Sequence, residues 1–123
     1  MRIGLDIHGV VSANPQFWST LTKLLIDAGH EIHVLTGHPV NHVLLQKLKR
    51  WKLHYTHIFS IVDEHRKRGT KMWQNKKGHW FMSAKDWNPT KAEYCRVHKV
   101  QVHIDDSDTY GTFFTTPYAH YNA

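Results

Sequence analysis

Residues 3–37 read IGLDIHGVVSANPQFWSTLTKLLIDAGHEIHVLTG, and they decide the fold. The run 3–7 is short and nearly all apolar, the pattern of a strand buried on both faces. Asn14-Pro15 supplies an N-cap and then a proline at the first helical position. Phe17, Leu21, Leu24, Leu25 and Ala28 recur at helical spacing and define one apolar face. Gly29 follows as a left-handed stop. Residues 31–35 form a second apolar strand, closed by Thr36-Gly37. Strand, helix and strand in this order make a right-handed crossover between parallel strands.

The pattern repeats outward from this unit. Pro39 is expected to open a second helix, with Val40, Val43, Leu44, Leu48 and Trp51 on one stripe. Residues 56–62 read as a third strand. The stretch 63–87 has little helical periodicity and many charges. Asn88-Pro89 is expected to cap a third helix running to about His98. Residues 100–104 form a fourth strand ending in Asp105-Asp106, and 112–116 a fifth, edge strand stopped by Pro117. The expectation is a single α/β domain over 1–123, Rossmannoid, with a mostly parallel five-stranded sheet flanked by helices. A small hairpin-like insert over 63–87 completes it.

The 123 residues carry 16 Lys+Arg against 10 Asp+Glu, a formal charge of +6, together with 12 histidines. A chain of this length buries a core of its own, and 41% apolar content argues against wholesale disorder. One cysteine, Cys95, excludes an internal disulfide and a cysteine-built zinc site. No run approaches the roughly 18 apolar residues of a membrane span. The N-terminal residues enter an apolar pattern at once and carry Asp6, unlike a signal peptide. A soluble, cytoplasmic protein without membrane association is expected. The basic balance points to an anionic partner.

Parallel strands deliver their carboxyl ends to one edge, where ligands bind in open α/β sheets. The polar residues at those ends are Asp6, Thr36-Gly37 and Asp105-Asp106. Three carboxylates at one edge call for a cation, and hard oxygen ligands favour Mg²⁺. A carboxylate beside that ion and a phosphate acts as a nucleophile. Thr36 offers a hydroxyl, and Gly37 allows close approach of its backbone N–H to a phosphoryl oxygen. Lys91, at the start of a helix, is the first candidate to balance phosphoryl charge, and Lys85 the second.

These residues resemble the haloacid-dehalogenase-like (HAD) phosphatase superfamily. Leu5-Asp6-Ile7-His8-Gly9-Val10-Val11 is similar to its first motif, Val34-Leu35-Thr36-Gly37 to its second, and Lys91 to its third. Val102-His103-Ile104-Asp105-Asp106-Ser107 is similar to the fourth, and the four occur in the family's order across nearly the whole chain. The resemblance implies that Asp6 is the nucleophile and a Mg²⁺ ligand, and that the His8 backbone carbonyl is a second ligand. It implies that Asp106 is the fourth-motif carboxylate, with Asp105 as ligand or supporting partner and Asp108 as a further supporting acid. Thr36 and Lys91 would hold the phosphoryl group. His38, directly after the second motif, is a candidate to face it.

One departure stands out. The family's second aspartate, which protonates the leaving oxygen, is here His8. An imidazole of ordinary pKa, about 6.5, suits proton transfer near neutrality. Three readings follow: a phosphatase with a histidine acid/base, an impaired relative, and a dehalogenase. The paired acids Asp105-Asp106 weigh against the last, which needs no magnesium.

The insert carries Arg66, Lys67, Arg68, Lys71, Lys76, Lys77 and Lys85 against Asp63, Glu64 and Asp86. Residues 71–74 and 79–82 read as two short strands around a turn at 75–78, with Gly78 needing positive φ. Cations interleaved with Trp73, Trp80, Phe81 and Trp87 suit phosphate contact and base stacking. The alternative is a surface hairpin whose tryptophans pack on the sheet edge. In the resembled family one class of substrate cover is inserted here, and this insert is far smaller, so an open site is expected. His30 and His33, His54 and His57, and His38 and His42 are spaced three or four apart but match no zinc motif, and no zinc site is expected. The leading expectation is a Mg²⁺-dependent phosphomonoesterase acting on a phosphorylated small molecule, a nucleotide or a nucleic-acid end. The alternative is an impaired module that binds such a ligand or a protein.

Overall fold

The computed structural model describes residues 1–122. Five strands, β1 (Arg2–Asp6), β2 (Glu31–Thr36), β3 (His57–Ser60), β6 (Val102–Asp105) and β7 (Tyr118–His120), form one sheet in the order β3-β2-β1-β6-β7. All four ladders are parallel. The helices are α1 (Pro15–Asp27), α2 (His42–Arg50), α3 (Ile61–Arg68), α4 (Ala84–Trp87), α5 (Thr90–Val97) and α6 (Asp108–Gly111). A separate antiparallel hairpin, β4 (Trp73–Gln74) with β5 (Trp80–Phe81), forms the insert. No helix among the described residues is long and apolar enough to cross a membrane.

The central strands are buried because both faces are covered. Leu5, Ile7, Ile32 and Val34 pack with Trp18, Leu44 and Leu48 on one side, while Leu35 meets Cys95 and Val100 on the other. Fully burying one such aliphatic side chain contributes about 1.5–3 kcal/mol.

Helix α1 starts as expected, with the Asn14 side chain accepting the Phe17 N–H at 3.2 Å and Pro15 in the first turn. Its buried stripe is turned away from the expected one. Trp18 and Thr22 are buried, whereas Phe17 and Leu24 are exposed. The polar Thr22 is tolerated inside because its hydroxyl donates to the Trp18 carbonyl at 2.6 Å and accepts the His54 N–H at 3.2 Å. Helix α2 begins at His42 and not at Pro39, since Asn41 caps it by accepting the Leu44 N–H at 2.9 Å.

Three other expectations are corrected. The third strand stops at Ser60, whose hydroxyl accepts the Asp63 N–H and starts α3. That helix lay hidden in the charged stretch because it buries only Ile61, Val62 and His65. Its acids sit in the first turn and its bases in the last, which suits the helix dipole. Asn88-Pro89 does not cap α5 by a side chain; the short α4 runs directly into it. The fifth strand is 118–120 and not 112–116. Ser107 caps α6 just before that stretch by accepting the Tyr110 N–H, and Phe114 folds under to stack on His103 at 5.1 Å. Pro117 precedes the strand, and its carbonyl accepts the His103 N–H at 3.0 Å.

Candidate active site at the carboxyl edge of the sheet

β1, β2 and β6 end side by side, and each ends in a buried polar residue: Asp6, Thr36 and Asp105. The chain leaves β1 through a tight turn in which the Ile7 carbonyl accepts the N–H of both Val10 and Ser12. Gly9 lies in this turn at φ +84°, and a side chain there would collide with the Asp106 carboxylate. The turn therefore seats Asp106 against the first strand's end. Asp6, Asp105 and Asp106 each bring one carboxylate oxygen within 4.8 Å of the others, a cluster that could hold a divalent metal.

Lys91 enters this group from the first turn of α5. Only 2% exposed, it donates to Asp6 Oδ1 and to Asp105 Oδ2, both at 2.8 Å. Its ammonium also lies 5.1 Å over the Tyr110 ring. Burial works against the charged lysine, yet Asp6 and Asp105 outweigh it and hold its pKa above the ordinary value. For Asp6, burial is the largest influence, and with the charges of Asp105 and Asp106 it overcomes Lys91 and pushes the pKa up. Asp105 goes the other way. Burial would raise it, but the His103 hydrogen bond and the Lys91 charge hold it well below the usual carboxylate range.

Asp105 is fully engaged by the fold. Its Oδ2 accepts from Lys91 and from His103 Nε2 at 2.9 Å, and its Oδ1 accepts the Ser107 N–H at 3.2 Å. Asp106 is exposed, and Asp6 keeps its Oδ2 free of protein donors. Asp108 lies away from the cluster, with its side chain almost wholly solvent-exposed and paired with His120 at 3.0 Å.

Thr36 Oγ1 accepts the His38 N–H at 3.1 Å. Gly37 is required by packing: a Cβ there would lie 2.6 Å from Trp87 Cζ2. Trp87 in turn donates through Nε1 to the Tyr110 hydroxyl at 2.6 Å. His8 and His38 stand with ring centroids 4.3 Å apart. Burial, then His38, Lys47 and Lys91, push the His8 pKa down to about 4, so it is a free base at neutral pH. Burial and the Lys47 and His79 charges lower His38 as well.

A cleft of about 1090 Å³ opens over these groups. Asp6, His8, Gly37, His38, Lys91 and Asp106 line it, whereas Lys85 is exposed on α4 and does not. The insert forms the facing wall through His79, Trp80 and Phe81, with the Arg66 guanidinium 5.2 Å over the Trp80 ring. The sequence names Arg66 only as one of the insert's cations and His103 only within the fourth motif, and it does not point to Tyr110. The signal for His103 was its place two residues before Asp105 on the same strand face. This chain matches no family model, no curated protein and no solved structure.

Proposed function

We propose that this chain is a Mg²⁺-dependent phosphomonoesterase of the HAD type, a single domain with a minimal cap, acting through an aspartyl-phosphate on Asp6. The observation that carries the reading is the buried Lys91 ammonium held between Asp6 and Asp105, with a carboxylate oxygen of Asp106 within 4.8 Å of theirs. Asp6, Asp106 and the His8 carbonyl are the residues that would hold Mg²⁺, with Asp105 positioning Lys91 more than ligating. The ion would supply charge neutralisation for an incoming phosphate dianion.

Asp6 Oδ2 then attacks phosphorus while the bond to the leaving oxygen breaks, and that oxygen takes its proton from solvent water admitted by the open cleft. Thr36 donates to a phosphoryl oxygen, and Lys91 balances its charge. In the second step water attacks phosphorus, the bond to Asp6 breaks, and His8 accepts the water's proton. A free-base His8 suits this second step better than protonation of the leaving group. The favoured substrates are nucleotides or nucleic-acid ends, since Trp80 and Phe81 offer stacking faces and Arg66 a phosphate contact on the cleft wall. Hydrolysis of an aryl phosphate that requires Mg²⁺ and is abolished by Asp6→Asn is the expected result.

The depressed His8 supports a second reading, a hydrolytically impaired module that binds a phosphorylated ligand or nucleic acid. It predicts no turnover of any phosphoester at pH 5–8 together with salt-sensitive binding to DNA or RNA.

A further inference from the structure

At the other end of β2 lies a second group of ligand-bearing side chains. Glu31 and His33 are two residues apart on one strand and so share a face. In the parallel register, His33 stands opposite His57 of β3. One ligand atom from each of Glu31, His33 and His57 falls within 4.8 Å of the others. Glu31 divides its oxygens. Oε2 faces Arg2 Nε at 3.5 Å, while Oε1 accepts from His33 Nε2 at 2.8 Å and lies 3.9 Å from His57 Nδ1.

We propose that Glu31, His33 and His57 form a binding site for a divalent transition-metal cation, Zn²⁺ by preference, separate from the Asp6 cluster. Two imidazoles and one carboxylate are the ligand set that Zn²⁺ accepts with water in the fourth position. Imidazole also selects against Mg²⁺, which prefers oxygen. Glu31 begins β2 and Thr36 ends it, five positions and so about 17 Å along the strand at 3.3 Å per residue.

The support around His33 is already built. It is 2% exposed, and its Nδ1 lies 2.7 Å from the Tyr94 hydroxyl of α5. With a metal on Nε2, the ring proton moves to Nδ1 and is donated to that phenol oxygen, an arrangement that orients ligating histidines. Tyr94 is itself held by the His98 ring at 4.0 Å. His57 is the member that must turn, giving up the contact of its Nδ1 with the Thr56 hydroxyl at 2.8 Å. Its ring now stacks on His33 at 4.1 Å with an interplanar angle of 5°. Lone pairs lie in the ring plane, so binding requires His57 to turn about its side-chain torsions. Its side chain is 48% exposed, which leaves room for that rotation and for entry of the ion.

The test is a Zn²⁺ titration of the full chain by calorimetry, with excess Mg²⁺ to keep the acidic edge filled. One equivalent is expected to bind, with at least tenfold weaker binding in His57→Ala and in Glu31→Gln. His54→Ala, which removes a neighbouring surface histidine, is expected to change binding less than twofold. Long-range ¹H–¹⁵N spectra of the histidine rings are expected to show the His33 proton move to Nδ1 when Zn²⁺ is added. Absence of one saturable equivalent, equal binding in His57→Ala and Glu31→Gln, or an unchanged His33 tautomer each overturns the proposal. Because His57 and Glu31 lie at the surface, their variants keep the test valid even where a His33 variant does not fold.

Discussion

Replacing Lys91 with methionine removes the ammonium buried between Asp6 and Asp105. The side chain's volume is nearly kept, so the change is electrostatic. Two hydrogen bonds of 2.8 Å disappear, and Asp6 and Asp105 are left facing each other. At 4.8 Å, the upper limit of the separation of their nearest oxygens, and an effective dielectric constant of 20, two unit charges repel by about 3–4 kcal/mol. This agrees with the roughly 3–5 kcal/mol lost when one partner of a buried ion pair is removed. Against a total stability of about 5–15 kcal/mol, the variant is expected to fold only marginally at pH 8. Lower pH relieves it. The folded-state pKa of Asp6 is already raised and rises further without Lys91, so the folded variant takes up a proton. A group of this kind supports stability fully below its unfolded pKa and loses that support as pH rises through its folded one. Urea unfolding of wild type and Lys91→Met at pH 5 and pH 8 is the assay, with the larger deficit expected at pH 8. A deficit below about 1 kcal/mol at pH 8, or one that grows toward acid, would refute the buried bridge.

Two further outcomes follow from the same geometry. With His8 pushed down to about 4, a base role in the second step gives a kcat whose His8-dependent limb falls only on acidification toward pH 4; His8→Ala should abolish that limb, and a kcat limb near the ordinary histidine pKa that disappears in His8→Ala would contradict the placement of His8. Gly37→Ala drives a Cβ to 2.6 Å from Trp87, so it should cost about 1–3 kcal/mol in unfolding experiments and shift tryptophan fluorescence, while an unchanged emission maximum would show that Trp87 does not pack there.

The site was legible where chemistry follows from a strand's end. Asp6, Thr36 and Asp105 close apolar runs, and parallel pairing brings such ends together regardless of the loops between them. Lys91 was legible from its place at the start of a helix. Lys85 ranked second for the same role, and burial is what divides the two: Lys91 is 2% exposed, whereas Lys85 is exposed and does not line the cleft. The turned face of α1 was hidden because Thr22 counts as polar until its two hydrogen bonds are seen. Helix α3 was hidden because its charged residues outnumber the three it buries. The role of Gly37 also changed: its missing side chain makes room for Trp87.

Residue order alone determined the alternation of strands and helices, and with it a parallel α/β sheet whose acids gather at one edge. This follows from local rules of period, cap and crossover, which act over a few residues. Tertiary structure decided what each acid does there. Asp105 is consumed by Lys91, His103 and the Ser107 N–H, whereas Asp106 stays free, and nothing in the dipeptide itself separates the two. It also decided that His33 meets His57, twenty-four positions away, since register across two strands is a property of the assembled sheet. Burial and neighbouring charge set the protonation of Asp6, Asp105 and His8, and neither exists until the chain has folded.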